Sequence, residues 1–496
     1  MPERYDLVLR GGTVIDGSGG PGARADVAVR GDRVARVGAV DADAAAAEVI
    51  DVSGHVVCPG FIDVHAHDDT LVLIEPDNEG KVMQGVTTVI NGNCGAGVVP
   101  QSASRRVLES EAPLPEWDSY GGYLDAIARQ PPSLNVATLV GFGTMRAGAL
   151  SGAQVTRPAT AEEIERMRAW LREALTAGAL GMSTGLIYEP DRYATTDEIV
   201  AVAQPLAAGG GLYASHVRGE GETLLAAHAE AMEIGRRGGV PVQISHHKAS
   251  GRAYWGYVRR SLAQIEEARV RGEDVTADQY PYTAGSTRLA AMIQNGWFGD
   301  GADGAREMEV LLASVPSRPA WEGRSVASLA SELDLPIEQA AQRIVDEGGA
   351  STIAIMFSMD EADVRTVMRH ESTMIGTDGI GWGSRPHPRH FGTYPRILGR
   401  YVREHGVIAL EEAVHRMTAM PAQKFDLRGR GELREGSIAD LVVFDPRTVI
   451  DVATYEDPRR PPAGMPYVFV NGSAVVRDGV HTHARAGRAV RRGVDR

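Results

Sequence analysis

Two apolar runs, Leu212-Tyr213-Ala214-Ser215-His216 and Val242-Gln243-Ile244-Ser245-His246, end in the same Ser-His pair thirty residues apart. That distance is one strand–helix–strand unit, and residues 222–237 between them read as the helix. The rhythm extends in both directions. Strand-like runs recur at 61–67, 87–94, 134–141, 180–184, 275–280, 352–357 and 374–378, with helical stretches at 160–177 and 259–271. The first of those helices is well signalled. Thr160 and Glu163 form a capping box, Ile164, Met167, Leu171 and Leu175 make one apolar face, and Gly178 stops it. Nine strand candidates compete for an eight-stranded closed sheet, so one lies outside it. A doubly wound open sheet fits the count almost as well. Polar residues, however, end one strand after another, as at the C-terminal face of a (β/α)8 TIM-like barrel. Residues from about 286 to 350 break the rhythm and read as an insertion over the barrel mouth.

Both chain ends read differently. Short Val- and Ile-rich strands fall at 5–15, 25–29, 33–37 and 48–57, with turn residues between them. The far end repeats this at 440–445 and 467–476, with Asn471-Gly472 as a hairpin turn. The expectation is one small β domain built from residues 1–58 and 425–496 around a barrel at 59–424.

Composition excludes several classes of protein. With 51 Lys+Arg against 65 Asp+Glu, the net charge of −14 is wrong for a chain that must grip phosphates. The basic tail (Arg485, Arg488, Arg491, Arg492, Arg496) is the exception and reads as a solvated run. Two cysteines in 496 residues exclude a disulfide scaffold and fit a reducing compartment. The start, Met1-Pro2-Glu3-Arg4-Tyr5-Asp6, lacks the basic and apolar parts of a signal peptide, and no apolar run is long enough to span a bilayer. A soluble, cytoplasmic protein without nucleic-acid or membrane partners is expected.

The strand ends carry the chemistry. His65-Ala66-His67 puts two imidazoles on one face of a strand, two residues apart, which suits two ligands on one metal. Cys94, in Asn91-Gly92-Asn93-Cys94-Gly95-Ala96-Gly97, ends the next strand between glycines that admit close backbone approach, and its thiolate is a strong zinc donor. His216 and His246 end strands at the barrel period, which core packing explains poorly. His247 points to the opposite face and is the weaker candidate. Asp378, in Gly376-Thr377-Asp378-Gly379, ends a late strand on a carboxylate fit for a general base or a further ligand. Cys58 has the context of a packing residue. Gly181-Met182-Ser183-Thr184-Gly185 matches a nucleophile elbow, but Tyr188-Glu189-Pro190 does not start the helix that such a turn requires. The remaining histidines (His55, His228, His370, His387, His390, His405, His415, His481, His483) lack ligand spacing and read as surface or structural.

At these residues the chain resembles the amidohydrolase superfamily, and within it the N-acyl-D-amino-acid deacylases, or D-aminoacylases. The matching motifs are Pro59-Gly60-Phe61-Ile62-Asp63-Val64-His65-Ala66-His67, Gly92-Asn93-Cys94-Gly95, Ser215-His216-Val217-Arg218-Gly219-Glu220, Ser245-His246-His247-Lys248, Tyr280-Pro281-Tyr282-Thr283-Ala284-Gly285-Ser286 and Gly376-Thr377-Asp378-Gly379. Gly436-Ser437-Ile438-Ala439-Asp440-Leu441 resembles the return into the family's β domain. The resemblance implies a (β/α)8 barrel with a β-sandwich made from both ends, and one or two zinc ions. Cys94, His216 and His246 would hold the tighter zinc. His65, His67 and Asp378 would form a second, weaker site, with Cys94 able to bridge. Asp378 would be the catalytic base, and Lys248, Tyr280, Ser286 and Arg389 would bind the substrate carboxylate.

The expected reaction is hydrolysis of an N-acyl-D-amino acid to a carboxylic acid and a free amino acid. The run Thr287-Arg288-Leu289-Ala290-Ala291-Met292-Ile293 predicts an apolar side-chain pocket with Met292 as a wall and leucine-, methionine- or phenylalanine-like substrates. Arg288 is the nearby residue that would reverse this preference if it reached the pocket. Two rivals are a cyclic-amide hydrolase of the dihydroorotase or hydantoinase type and a metal-binding pseudoenzyme. The first would bridge its metals through a carboxylated lysine, which the run 180–184 lacks.

Overall fold

The computed structural model describes residues 4–41, 43–108, 113–150, 155–298 and 308–494. Eight parallel strands form the centre: β1 (Phe61–Asp63), β2 (Val86–Asn91), β3 (Asn135–Thr138, resumed as Val140–Gly141), β4 (Gly181–Gly185), β5 (Leu212–His216), β6 (Val242–Ile244), β7 (Val275–Gln279) and β8 (Thr373–Ile375). Each pairs with the next in register, from Ile62↔Thr88 through Met182↔Val140 to Ala277↔Thr373. Beyond the last strand the ring closes. The Asp378 N–H donates to the His65 carbonyl at 2.7 Å, and Ala66 and Gly379 form a parallel bridge. Ile62, Ile90, Leu139, Leu180, Leu212 and Met374 fill the interior, and helices cover the outside. The chain is therefore an α/β protein with a closed (β/α)8 barrel.

The helix Ala161–Ala177 has the expected ends. Thr160 and Glu163 cap one another reciprocally, and Gly178 takes φ 106° as the stop. Among the described residues, no helix is long and apolar enough to cross a membrane.

Residues 352–357 are the strand candidate outside the barrel. Ile353–Phe357 is the central strand of a separate three-stranded antiparallel sheet, between Ala284–Arg288 and Val310–Ser314. Its two faces are both covered. Ala354 and Met356 meet one apolar cluster, and Ile353 and Ile355 meet another. A strand buried on both faces reads as continuously apolar, like a barrel strand, so the pattern alone could not separate them.

Strands from both chain ends share one hydrogen-bonded sheet. Val56–Pro59 is the seam, parallel to Arg4–Val14 and antiparallel to Leu441–Phe444. The nine-stranded sheet follows a path of eight strands, and Ala45–Asp51 branches off it at Arg4–Val14. The expected strand at 48–57 divides into Ala45–Asp51 and Val56–Pro59, because Gly54 turns between them at φ 80°. The described part of the basic tail is not free in solvent, and Arg496 lies outside the described residues. Val136 and residues 488–490 exchange backbone hydrogen bonds, and Arg488 pairs with Asp32.

Candidate active site and metal centre

The C-terminal ends of the strands bring the sequence-predicted donors together. Cys94 Sγ lies 3.3 Å from His65 Nε2 and 3.6 Å from both His216 Nδ1 and His246 Nε2. His216 Nδ1 and His246 Nε2 are 2.7 Å apart. His67 Nε2 lies 3.0 Å from Asp378 Oδ1. Two overlapping triads, His65–Cys94–His246 and His65–His67–Asp378, each hold donor atoms within metal-sharing distance.

Local sequence explains the convergence. The loop after β2 must pass against β3 and β4. A side chain at Gly92 would meet the Leu139 carbonyl at 2.1 Å, and one at Gly95 would meet Asp191 Oδ2 at 2.2 Å. Ser183 of the apparent nucleophile elbow is buried here. It donates to the Gly92 carbonyl and accepts from the Gly95 N–H at 3.1 Å, so it fixes the cysteine loop. His247 turns away, as its place predicts, onto Ser261. Cys58 is buried in the end sheet.

Two carboxylates missed in the sequence orient the imidazoles. Asp278 on β7 holds His65 Nδ1 at 3.0 Å and accepts the His246 N–H at 2.8 Å. Glu220 sits 3.1 Å from His246 Nδ1 and accepts from Lys248. Asp278 carries the same signal as the residues that were found, a polar group at a strand end. A carboxylate behind each ligating imidazole sets its tautomer and ring angle.

The electrostatics match this design. Burial opposes ionisation of the Cys94 thiol, but the charge of His65 and hydrogen bonds from three imidazoles hold its pKa well below the usual thiol value. Burial likewise opposes Asp378, and Arg389, His65 and His67 outweigh it, keeping the carboxylate far below its ordinary range. Burial and the neighbouring His246 lower His216, which leaves a neutral lone pair. A thiolate, four imidazoles and a carboxylate fit zinc, and the buried His216 Nε2 has no hydrogen-bond partner among the described residues, with Glu220 3.9 Å away.

The donors open into a cavity of about 500 Å³ walled by Lys248, Tyr280 and Ser286 as well. Ser286 Oγ is buried without a hydrogen-bond partner among the described residues. Arg389 lies fully buried behind this wall, its guanidinium 4.3 Å from the Tyr280 ring and 2.9 Å from Asp378. His387, which accepts the Arg389 N–H at 3.0 Å, is buried and structural. Met292 is misplaced by the sequence reading. It is fully buried among Leu289, Phe298 and Leu312 in the core beside the small antiparallel sheet, away from the cavity. Its helix, Leu289–Gln294, starts directly after Arg288 and turns that face inward. Arg288 does line the cavity, with its guanidinium donating to the Val107 carbonyl.

Comparison with known proteins agrees with this geometry. The amidohydrolase family profile matches residues 48–278 and 298–476. A D-aminoacylase of Alcaligenes xylosoxydans xylosoxydans is 44% identical over 98% of both chains. A solved N-acyl-D-glutamate deacylase from Bordetella bronchiseptica, complexed with zinc and a phosphonate mimic of the tetrahedral intermediate, is 38% identical, with TM-score 0.90 over 99% of this chain and 100% of that one. A D-aminoacylase structure concerned with a binuclear metal centre is 41% identical, with TM-score 0.89 over 98% of this chain and all of the other. A fold, a donor set and full-length similarity that coincide in this way make the chain a member of the amidohydrolase family, in its N-acyl-D-amino-acid deacylase branch.

Proposed function

We propose that the protein hydrolyses the amide bond of N-acyl-D-amino acids in a zinc-dependent reaction. The observation that carries the reading is Cys94 Sγ within 3.6 Å of three imidazole nitrogens, beside an Asp378 that contacts both His67 and Arg389. Cys94, His216 and His246 would hold the tighter zinc, and His65, His67 and Asp378 a weaker one. When bound, the metal supplies Lewis-acid polarisation of the amide carbonyl and lowers the pKa of a water.

The protein's own residues do the rest. Asp378, ionised at neutral pH, takes a proton from the attacking water and delivers it to the amide nitrogen as the C–N bond breaks. The products are a carboxylic acid and a free amino acid. Lys248, Tyr280 and Ser286 present donors to the substrate carboxylate at the cavity wall, and Arg389 reinforces them from behind Tyr280. Ile187, Ile353, Met356 and Trp382 give the cavity apolar walls, and the Arg288 guanidinium is turned to a backbone carbonyl. The apolar walls support apolar over acidic side chains, for a reason that no longer involves Met292, and Arg288 at the cavity wall is the group that an acidic side chain would have to engage.

The test is the specificity constant of zinc-loaded protein on paired N-acetyl-D- and L-leucine, with N-acetyl-D-glutamate and N-acetyl-D-aspartate alongside. N-acetyl-D-leucine should be cleaved fastest, and chelator-stripped protein should be inactive. Equal cleavage of the two leucine enantiomers would overturn the D reading, and a preference for the acidic pair would overturn the apolar one.

A further inference from the structure

The geometry points to a separate metal site, remote from the cavity, in which Asp77, His481 and His483 hold a zinc-class divalent ion that pins the C-terminal hairpin to the barrel.

Asp77 lies in the connection between β1 and β2, after the short helix Leu71–Ile74. His481 ends the last strand, Val480–His481, and His483 follows with its backbone at φ 61°. That left-handed turn brings the two rings to 4.9 Å between centroids, nearly perpendicular. His483 Nδ1 is 3.0 Å from Asp77 Oδ2, and one ligand atom from each of the three residues falls within 4.8 Å of the others.

The second observation is His481 itself. It is only 8% exposed, and both ring nitrogens are buried without a hydrogen-bond partner among the described residues. An imidazole so placed forfeits its hydration with nothing in return, and a metal bond would recover it. Arg485 pairs with Asp77 Oδ1 at 2.9 Å, which leaves Oδ2 for the ion and orients the carboxylate from behind. The outer side is open, since the His483 side chain is 74% exposed. Metal can therefore enter, and water can complete a tetrahedral set. Two imidazoles and a carboxylate favour zinc, and by softness also copper or nickel, over magnesium or calcium. The ion would close a link that the backbone begins, since Val136 donates to the Arg488 carbonyl and accepts from Val490, both at 2.8 Å. None of the three ligands lines the substrate cavity, so the inference does not depend on the deacylase reading.

The test is zinc content after equilibrium dialysis of the full-length protein, wild type against His483→Ala and Asp77→Asn, with melting temperatures measured with and without added zinc. Catalytic zinc is common to all three and cancels. Wild type should retain about one more zinc per chain than either variant, and added zinc should raise its melting temperature by more. His483→Ala removes an exposed side chain and Asp77→Asn preserves shape, so at least one variant should fold. Equal zinc content in wild type and a folded variant would overturn the site.

Discussion

Cys94, His246 and Asp378 all have left-handed backbones, at φ 52°, 35° and 48°. Side-chain-bearing residues held there cost of order 1–3 kcal/mol each, and such positions cluster where function requires them. The strain aims three different strand ends at one point. Asp378 is held far below its ordinary pKa chiefly by Arg389 and His65 acting against burial, so it is ionised at neutral pH and, as the proposed base, should set the acid side of the activity profile. Asp378→Asn keeps the shape and removes the base, so kcat should fall by about two or more orders of magnitude; near-normal turnover by the folded variant would assign the proton to another group. Asp191, against the cysteine loop, behaves oppositely. Burial raises its pKa to about 8, so the folded state binds a proton that the unfolded chain loses near pH 4. Its contribution is fully present below that value and is lost as pH rises towards 8, at about 1.4 kcal/mol per pH unit. Asp191→Asn should flatten this part of the stability profile and stabilise the protein relative to wild type above pH 8, as denaturant titrations at several pH values would show.

At the scale of elements, β1 and β8 must stay in register, because one carries His65 and His67 and the other Asp378. A fully buried cluster joins them. Lys81 donates to Asp63 and Thr377, each at 2.6 Å, and Asp63 accepts the Thr377 N–H at 2.8 Å. Asp68 lies 3.2 Å from the same ammonium. Lys81→Met leaves two buried carboxylates without their cation, so a loss of about 3–5 kcal/mol is expected in urea unfolding. A change under 1 kcal/mol would show that water or protonation compensates. No sequence pattern reveals this cluster, since a lysine in a short helix reads as exposed. The candidate metal donors were legible because a polar residue ending an apolar strand is conspicuous, and the barrel period repeats it. Asp278 carries that signal too, yet as Gln243 and His65 surround it, only the structure shows what it orients. Met292 was misread because closeness in sequence to Ser286 does not say which way a new helix turns.

For the whole molecule, the alternation of strands and helices made the barrel readable, and the β-rich ends showed that both termini build a separate layer. The continuity of that nine-stranded sheet was not readable, because pairing between Val56–Pro59 and Leu441–Phe444 joins segments with no local signal for one another. Likewise, 352–357 has the composition of a barrel strand and a different partner. The central claim is that one cysteine links the metal centre to hydrolysis. Zinc content and N-acetyl-D-leucine cleavage, measured on the same preparations of wild type and Cys94→Ala, test it most directly. Both should fall together in the variant, with the barrel's circular dichroism unchanged. Full catalytic zinc with undiminished cleavage in Cys94→Ala would contradict the account.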